Sequence, residues 1–393
     1  MQLPVDIPAV LKAATDLEEA AKTPLSVSVL IDDTAPGDCV GHVRAAFAST
    51  GAHTRVTIGY LDDEPVQSHG GDDFAVLVAG TAPFIGAQAA RLREAGIPVM
   101  VATTLPSLVH DAAVEAGWPI PMGDICAPGD EPIGAVRRAL DKVLKRGEDT
   151  EGRAAAAGPD AVDPAADVDE AVQEGADELA LAAEPGEPFA LDEEAVGSFD
   201  VRMGEWICAA VPEKKLACAL AFPFVRRPLA LDAVNATSMQ NGAVGLVPII
   251  PGADMPIMTL NQMKMLLQIA AAYGQPLDAN RIKELAAVLG GAFVLRNVAR
   301  SAAGFVPVLG WAVRGAVGFA GTEAMGRMAI EYFEAGGDLV GVASVVQNGS
   351  GAAVDAVQKA AATPAGGKVL GAAKDAAGKA VTALRGAKKK GKR

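Results

Sequence analysis

Apolar residues in the first third of the chain come in short β-branched runs, separated by longer stretches in which apolar positions recur three and four apart. The runs Leu25 to Ile31, Arg55 to Leu61, Phe74 to Ala79, Pro98 to Thr103 and Ile125 to Ala127 predict strands buried on both faces. The stretches between them predict helices over residues 39–49, 83–95, 106–116 and 132–145, with a leading helix over 7–21 beside the first strand. Strand and helix in alternation predict an α/β domain over residues 1–146, built on a mostly parallel sheet of about five strands.

The pattern then changes twice. Residues 147–200 are Ala, Asp, Glu, Gly and Pro with hardly an aromatic, a composition that cannot bury enough apolar surface to offset chain ordering, so a disordered acidic linker is expected. From Val201 the periodicity is helical. It predicts an all-α domain over 201–345, with helices over 203–221, 229–247, 255–273, from Asp278 to Arg300, and 308–334. The third starts after Asp254, a good N-cap, and stops at Gly274, a good left-handed terminator. Residues 346–393 form an Ala-, Gly- and Lys-rich basic tail.

Charge follows the same divisions. The 393 residues carry a net charge of −14. Glu148 to Glu205 carries −16 and Lys359 to Arg393 carries +9, so the total describes no single surface. Cys39, Cys126, Cys208 and Cys218 show no CxxC spacing and read as small buried hydrophobes. Met1 to Lys22 lacks a basic region followed by an apolar core, so a cytoplasmic start is expected.

The α/β domain lacks the parts of a phosphate machine. After Ile31 come Asp32, Asp33, Thr34, Ala35, Pro36, Gly37 and Asp38, with no GxxxxGK[ST] or GxGxxG and with three carboxylates that repel phosphate. The place for a guanine-reading Asn-Lys-x-Asp holds Thr103, Thr104, Leu105 and Pro106. Asp32 and Asp33 end their strand as a metal-binding acidic pair would, but Gly80 and Thr81 stand where a receiver-type phosphoacceptor belongs. The metal reading of Asp32 and Asp33 therefore competes with solvated carboxylates at a strand end, which also accounts for Asp62, Asp63 and Glu64. Any atypical nucleotide site would have to use Gly37, Gly80 and Thr81. His42, His53, His69 and His110 have no metal-ligand spacing, and no nucleophile elbow occurs. No cofactor and no catalytic residue are expected.

The most distinctive segment runs from Val234 to Glu334. It holds Val247-Pro248-Ile249-Ile250-Pro251-Gly252-Ala253-Asp254, Leu260-Asn261-Gln262-Met263-Lys264-Met265, Tyr273-Gly274, Val306-Pro307-Val308-Leu309-Gly310-Trp311, Thr322-Glu323-Ala324-Met325-Gly326 and Tyr332-Phe333. This segment resembles the YcjF-like bacterial domain of unknown function. That family is membrane-associated and is often fused behind Era-like GTPase domains. The resemblance implies a helical domain with no known reaction, and a front domain of flavodoxin-like or GTPase-like, Rossmann-related layout that has lost its nucleotide motifs. Read physically, Pro251-Gly252 is a turn, Asp254 a cap, Gln262 and Met263 lie in a helix, and Tyr273-Gly274 ends it.

A spanning helix needs about 20 mostly apolar residues. Ala233 to Ala253 is uncharged but holds Asn235, Thr237, Ser238, Gln240 and Asn241, and Arg296, Arg300 and Arg314 interrupt the later apolar stretch. Ala312, Ala316, Ala320 and Ala324 form a small-residue ridge suited to close helix packing, including a homo-oligomeric contact. Lys388, Lys389, Lys390, Lys392 and Arg393 suit an anionic surface, and no interleaved aromatic suggests sequence-specific nucleic-acid binding. The expectation is a non-enzymatic adaptor or scaffold on the cytoplasmic side of the cell membrane. The alternatives are an atypical GTP- or nucleotide-binding switch with the helical domain as effector, and a soluble helical interaction protein whose basic tail binds lipid or another anion.

Overall fold

The computed structural model describes residues 6–48, 51, 53–66, 71–129, 187–246, 254–280, 282–283, 311–339 and 341–342. The helix expected over 132–145, the linker up to residue 186, the helix expected from Asp278 beyond Lys283, and the basic tail lie outside the described residues.

In chain order the elements are α1 (Ile7–Ala20), β1 (Leu25–Asp32), α2 (Gly37–Ala46), β2 (Thr54–Leu61), β3 (Phe74–Val78), α3 (Ile85–Glu94), β4 (Val99–Ala102), α4 (Pro106–Glu115), β5 (Ile125–Cys126), α5 (Glu193–Ala210), α6 (Lys215–Ala221), α7 (Arg226–Leu246), α8 (Asp254–Ala272) and α9 (Trp311–Glu334). They fall into two compact units. Ser26–Thr50 with Thr54–Ala210 is the α/β unit, and Met1–Leu25, Gly51–His53 and Val211–Arg393 make up the other.

The five strands lie in the order β2-β1-β3-β4-β5. The pairings of β1 with β3, β3 with β4 and β4 with β5 are parallel. Ile31 stands opposite Val78, Val78 opposite Ala102, and Ala102 opposite Cys126, so Asp32, Ala79, Thr103 and Ala127 come together at one edge. Every residue of β3 and β4 is buried, as their unbroken apolar runs require. Leu77, Val99 and Val101 pack with Ile85, Ala89 and Leu92 of α3 and Val109 of α4, and each fully buried Leu, Ile or Val contributes about 1.5–3 kcal/mol.

Three expectations are corrected. β2 is not buried on both faces. It is the edge strand, and its alternating burial leaves one face to solvent, with Tyr60 68% exposed and Ile58 half-exposed. α1 does not pack beside the first strand. It buries Val10 and Ala14 and lies against α6 and α8, so the second unit is discontinuous in sequence, and the α/β unit is inserted between α1 and α6. Finally, residues 193–200, expected in the linker, are the first turns of α5, and the boundary falls after Ala210 rather than Asp200.

The physical reasons for α5 lie in its own sequence. Asp192 accepts a hydrogen bond from the Ala195 N–H at 2.8 Å, an N-terminal cap, and Glu193 and Glu194 favour the positive end of the helix dipole. Phe199, Met203 and Ile207 then form one fully buried i, i+4 ridge on a helix that packs on β4 and β5. The single helix expected over 203–221 is divided at Pro212, which cannot supply an interior N–H, and chain resumes as α6 at Lys215.

In the second unit the described residues beyond Ala210 are helices and turns. α7 runs antiparallel to both α8 and α9: Asn241 meets Met258 and Thr322 at one end, and Arg227 meets Glu334 at the other. α8 stops at Gly274, whose φ of 71° only glycine takes without strain, and the Gln275 N–H reaches back to the Ala270 carbonyl at 2.9 Å.

Candidate functional site

In open parallel sheets with this strand order, ligands bind outside the carboxyl ends of the strands, where β1 and β3 send their chains to opposite faces. The residues at that place in the α/β unit are Asp32, Thr34, Gly80, Thr103 and Thr104. Asp32 is buried, and its carboxylate is occupied by the chain itself. Oδ1 accepts the Thr34 N–H at 3.0 Å, and Oδ2 accepts the Thr34 hydroxyl at 2.6 Å and the Gly80 N–H at 2.9 Å. These bonds fold the turn after β1 across the end of β3. A Cβ on Gly80 would lie 2.2 Å from the Thr34 carbonyl oxygen, so glycine is required there by close approach.

The other candidates at this edge do not converge on Asp32. Asp33 and Thr81 are exposed, and Gly37 opens α2 with free space around its Cα. Among the described residues, no group of three or more His, Cys, Asp or Glu side chains is placed to hold a metal ion. Thr103 is also used internally: its hydroxyl donates to the Ala79 carbonyl at 2.8 Å and accepts the Leu105 N–H at 3.0 Å. Cys39 is buried beneath the edge. Burial, with Asp38 beside it, pushes its thiol up to about 12, so the thiolate needed for nucleophilic chemistry does not form near neutral pH.

Residues that the sequence assigned to the linker reach the same edge. Both carboxylate oxygens of Glu187 accept backbone N–H groups at the amino terminus of α4, Ser107 at 2.7 Å and Leu108 at 3.1 Å. The Phe189 N–H donates to the Thr104 carbonyl at 2.9 Å. Farther along, Ser198 Oγ accepts the Gly129 N–H at 3.0 Å, and Asp200 lies 2.8 Å from His42 Nε2 on α2, next to the Phe199 ring. His110 pairs with its neighbour Asp111, while His69 lies outside the described residues.

The opposite end of β1 carries a network that the sequence did not signal. Asp72 accepts the hydroxyls of Ser26 at 2.6 Å and Ser28 at 2.5 Å, and Arg55 bridges Ser26 and Asp72. Burial alone would raise the Asp72 carboxyl, but the hydrogen bonds from Ser26, Ser28 and Arg55 outweigh it and hold the group below its ordinary 3.8.

In the helical unit, three motif residues, Asn261, Gln262 and Thr322, meet in a polar cluster. Thr322 Oγ1 accepts from Asn241 Nδ2 and Gln262 Nε2, both at 3.0 Å, and donates to the Gly318 carbonyl at 2.7 Å. Asn261 Nδ2 adds a bond to Asn241 Oδ1 at 3.0 Å. The close approach of α9 to α7 runs along Gly318, Thr322 and Gly326; a Cβ on Gly326 would fall 2.3 Å from Val234. The alanine ridge is offset from this line by two residues, about 200° round the helix and so nearly on its opposite side, with Ala320 and Ala324 half-buried and the side chains of Ala312 and Ala316 outside the described set. Met263 is fully buried, and Asp254 begins α8. Tyr273 stacks on Phe333 and donates to Glu334 at 2.8 Å; burial and then Glu334 raise its phenol well above the ordinary range. The Tyr332 ring fills the space over Gly337 and Gly341. Pro251, Gly252, Pro307 and Gly310, with the tail residues Lys388, Lys389, Lys390, Lys392 and Arg393, lie outside the described residues. Among the described residues no helix is long and apolar enough to cross a membrane.

Set against protein-family models, curated proteins and solved structures, the chain matches none.

Proposed function

We propose that the chain is a non-enzymatic adaptor or scaffold that associates with the cytoplasmic face of a bacterial membrane. In this reading a flavodoxin- or GTPase-like α/β part without nucleotide chemistry, which carries an acidic, disordered segment between β5 and α5, is joined after Ala210 to an all-α, YcjF-like part. One observation carries the non-enzymatic half. The groups at the sheet's carboxyl edge that could serve a ligand, the Asp32 carboxylate and the α4 amides, are engaged by Thr34, Gly80 and Glu187 of the same chain. The membrane half is supported by the sequence: a tail of charge +9 from Lys359 to Arg393, in which each Lys or Arg near an anionic leaflet contributes about 1 kcal/mol.

Fractionation of native cells, with salt, carbonate and detergent washes, tests the membrane half. Recovery in the membrane fraction is expected, and recovery wholly in the soluble fraction at low salt removes the claim. Calorimetric titration of the full chain with GTP, ATP and magnesium tests the other half. No heat is expected, and saturable binding with turnover would favour a nucleotide switch instead.

A further inference from the structure

β2 ends the sheet without the devices that usually close a sheet edge. A strand with one neighbour presents a row of unpaired N–H and C=O groups, and folded proteins blunt such an edge by keeping it short, charged, interrupted by proline or covered. β2 is 8 residues long, as long as β1 and longer than β3 or β4. It holds no proline, and its one charge, Arg55, is held at the start of the strand by Ser26 and Asp72 of the same chain.

The direction of its backbone groups follows from its start. The Leu25 N–H donates to the His53 carbonyl at 2.9 Å, so His53 turns toward β1. Backbone groups alternate sides along a strand with a period of two residues, which leaves Thr54, Val56, Ile58 and Tyr60 turned to the outer edge. The side chains of these residues share one face, opposite the face on which Leu61 joins the core with Leu77 and Ile85. With Tyr60 68% and Ile58 43% exposed, the edge and its apolar face are open together.

We propose that β2 pairs with β2 of a second copy of this chain, antiparallel, about a two-fold axis at Ile58. In that register Ile58 stands opposite the second copy's Ile58 and Val56 opposite its Tyr60, and these outward-turned residues are the ones that exchange both N–H···O bonds. The strand's own sequence suits this occupant. Apolar residues meet apolar ones on the open face, including an aromatic residue against a β-branched one, and Arg55 falls opposite Leu61 rather than a second Arg55, so no like charges are opposed. Moving the axis by one residue either way sets Tyr60 against Thr54, or Val56 against Asp62. Antiparallel pairing also brings the start of one β2 beside the end of the other, where Arg55 approaches the exposed Asp62, Asp63 and Glu64. A patch that is complementary to itself closes as a dimer rather than growing into a fibre. The two sheets then run on as one across the axis, and the pairing does not depend on the membrane reading.

The test is cysteine cross-linking of the full-length protein, beside sedimentation over a range of concentrations. A residue opposed to itself on the axis has its two α-carbons about 5.5 Å apart, within disulfide reach. On mild oxidation Ile58→Cys is expected to link to itself. Val56→Cys and Tyr60→Cys are each expected to stay at the wild-type background alone and to link when mixed. Wild type is expected to sediment as a concentration-dependent dimer, and Ile58→Lys, which opposes two like charges on the axis, to weaken association by about tenfold or more. Tyr60→Lys, at the more exposed position, is expected to act in the same direction and guards against a folding defect in the first variant. A chain that stays monomeric at every concentration overturns the pairing, even if β2 takes up an extended peptide from another protein. So does a dimer that both lysine variants leave unchanged, or self-linkage of Val56→Cys in place of Ile58→Cys.

Discussion

The two units use polar groups in opposite ways. In the α/β unit the organising polar groups are carboxylates at the ends of strands and helices: Asp32 at one end of β1, Asp72 at the other, and Glu187 on α4. Each has backbone N–H or hydroxyl donors aimed at it, so the charge is solvated by the protein. In the helical unit the groups between α7, α8 and α9 are the neutral Asn241, Asn261, Gln262 and Thr322. The difference follows from where the donors are. Strand ends and helix starts expose unpaired N–H groups that can hold a charge, whereas the middle of a helix has spent its backbone donors, and an unpaired carboxylate there would keep its desolvation penalty.

The contrast can be broken or sharpened by substitutions, read by hydrogen exchange so that each effect is assigned to its unit. Gly80→Ala should have the largest effect, about 3 kcal/mol, because the new methyl meets the Thr34 carbonyl and opens the Asp32 turn. Exchange should accelerate across β1, β3 and the turn after β1, while α7 to α9 stay protected; an unchanged α/β unit would show the turn to be pliable. Thr322→Val should cost about 2 kcal/mol in the helical unit, since it keeps the shape but leaves the Gln262 amide without its acceptor and Asn241 with only a long bond to the Met258 carbonyl. A loss no larger than that of an exposed substitution would mean the polar cluster does not hold the helices in register.

Asp72→Asn should cost about 1–2 kcal/mol at pH 7. The folded-state carboxyl lies below its ordinary 3.8, so its stabilisation is complete above that value and is lost as pH falls through the lower folded value. The stability gap between wild type and Asp72→Asn should therefore close on acidification below pH 3.8, and a gap independent of pH would assign the effect to packing. Asp6→Ala, which removes the cap on α1, should have the smallest effect, about 1 kcal/mol, and it should appear in the helical unit. Its appearance in the α/β unit would put α1 on the wrong body.

What was readable in the sequence is what local pattern determines. The Val- and Ile-rich runs mark β1, β3 and β4 to within a residue or two, and Asp254 and Gly274 bracket α8. What was hidden depends on partners distant in sequence. Glu187 looks like one more linker acid until α4 lies beside it, and no periodicity announces that 80 residues separate a helix from its cap. α5 was hidden by composition. Its acidic start resembles the linker, although Asp192-Glu193-Glu194 ahead of Phe199, Met203 and Ile207 is a readable helix start followed by an i, i+4 apolar ridge. The polar cluster was half visible: Asn261, Gln262 and Thr322 stand out as motif residues, but only the antiparallel register of α7 brings Asn241 to them.

Because α1 docks on α6 and α8, its emergence from the ribosome is separated in time from that of its partners. Close to 200 residues lie between the end of α1 and the start of α6, on the order of 10–40 s of synthesis at roughly 5–20 residues per second. During that interval the whole α/β unit emerges and can fold, while α1 waits with Val10 and Ala14 uncovered. The nascent chain thus carries an early segment whose folding is deferred until more than half of the chain has been made.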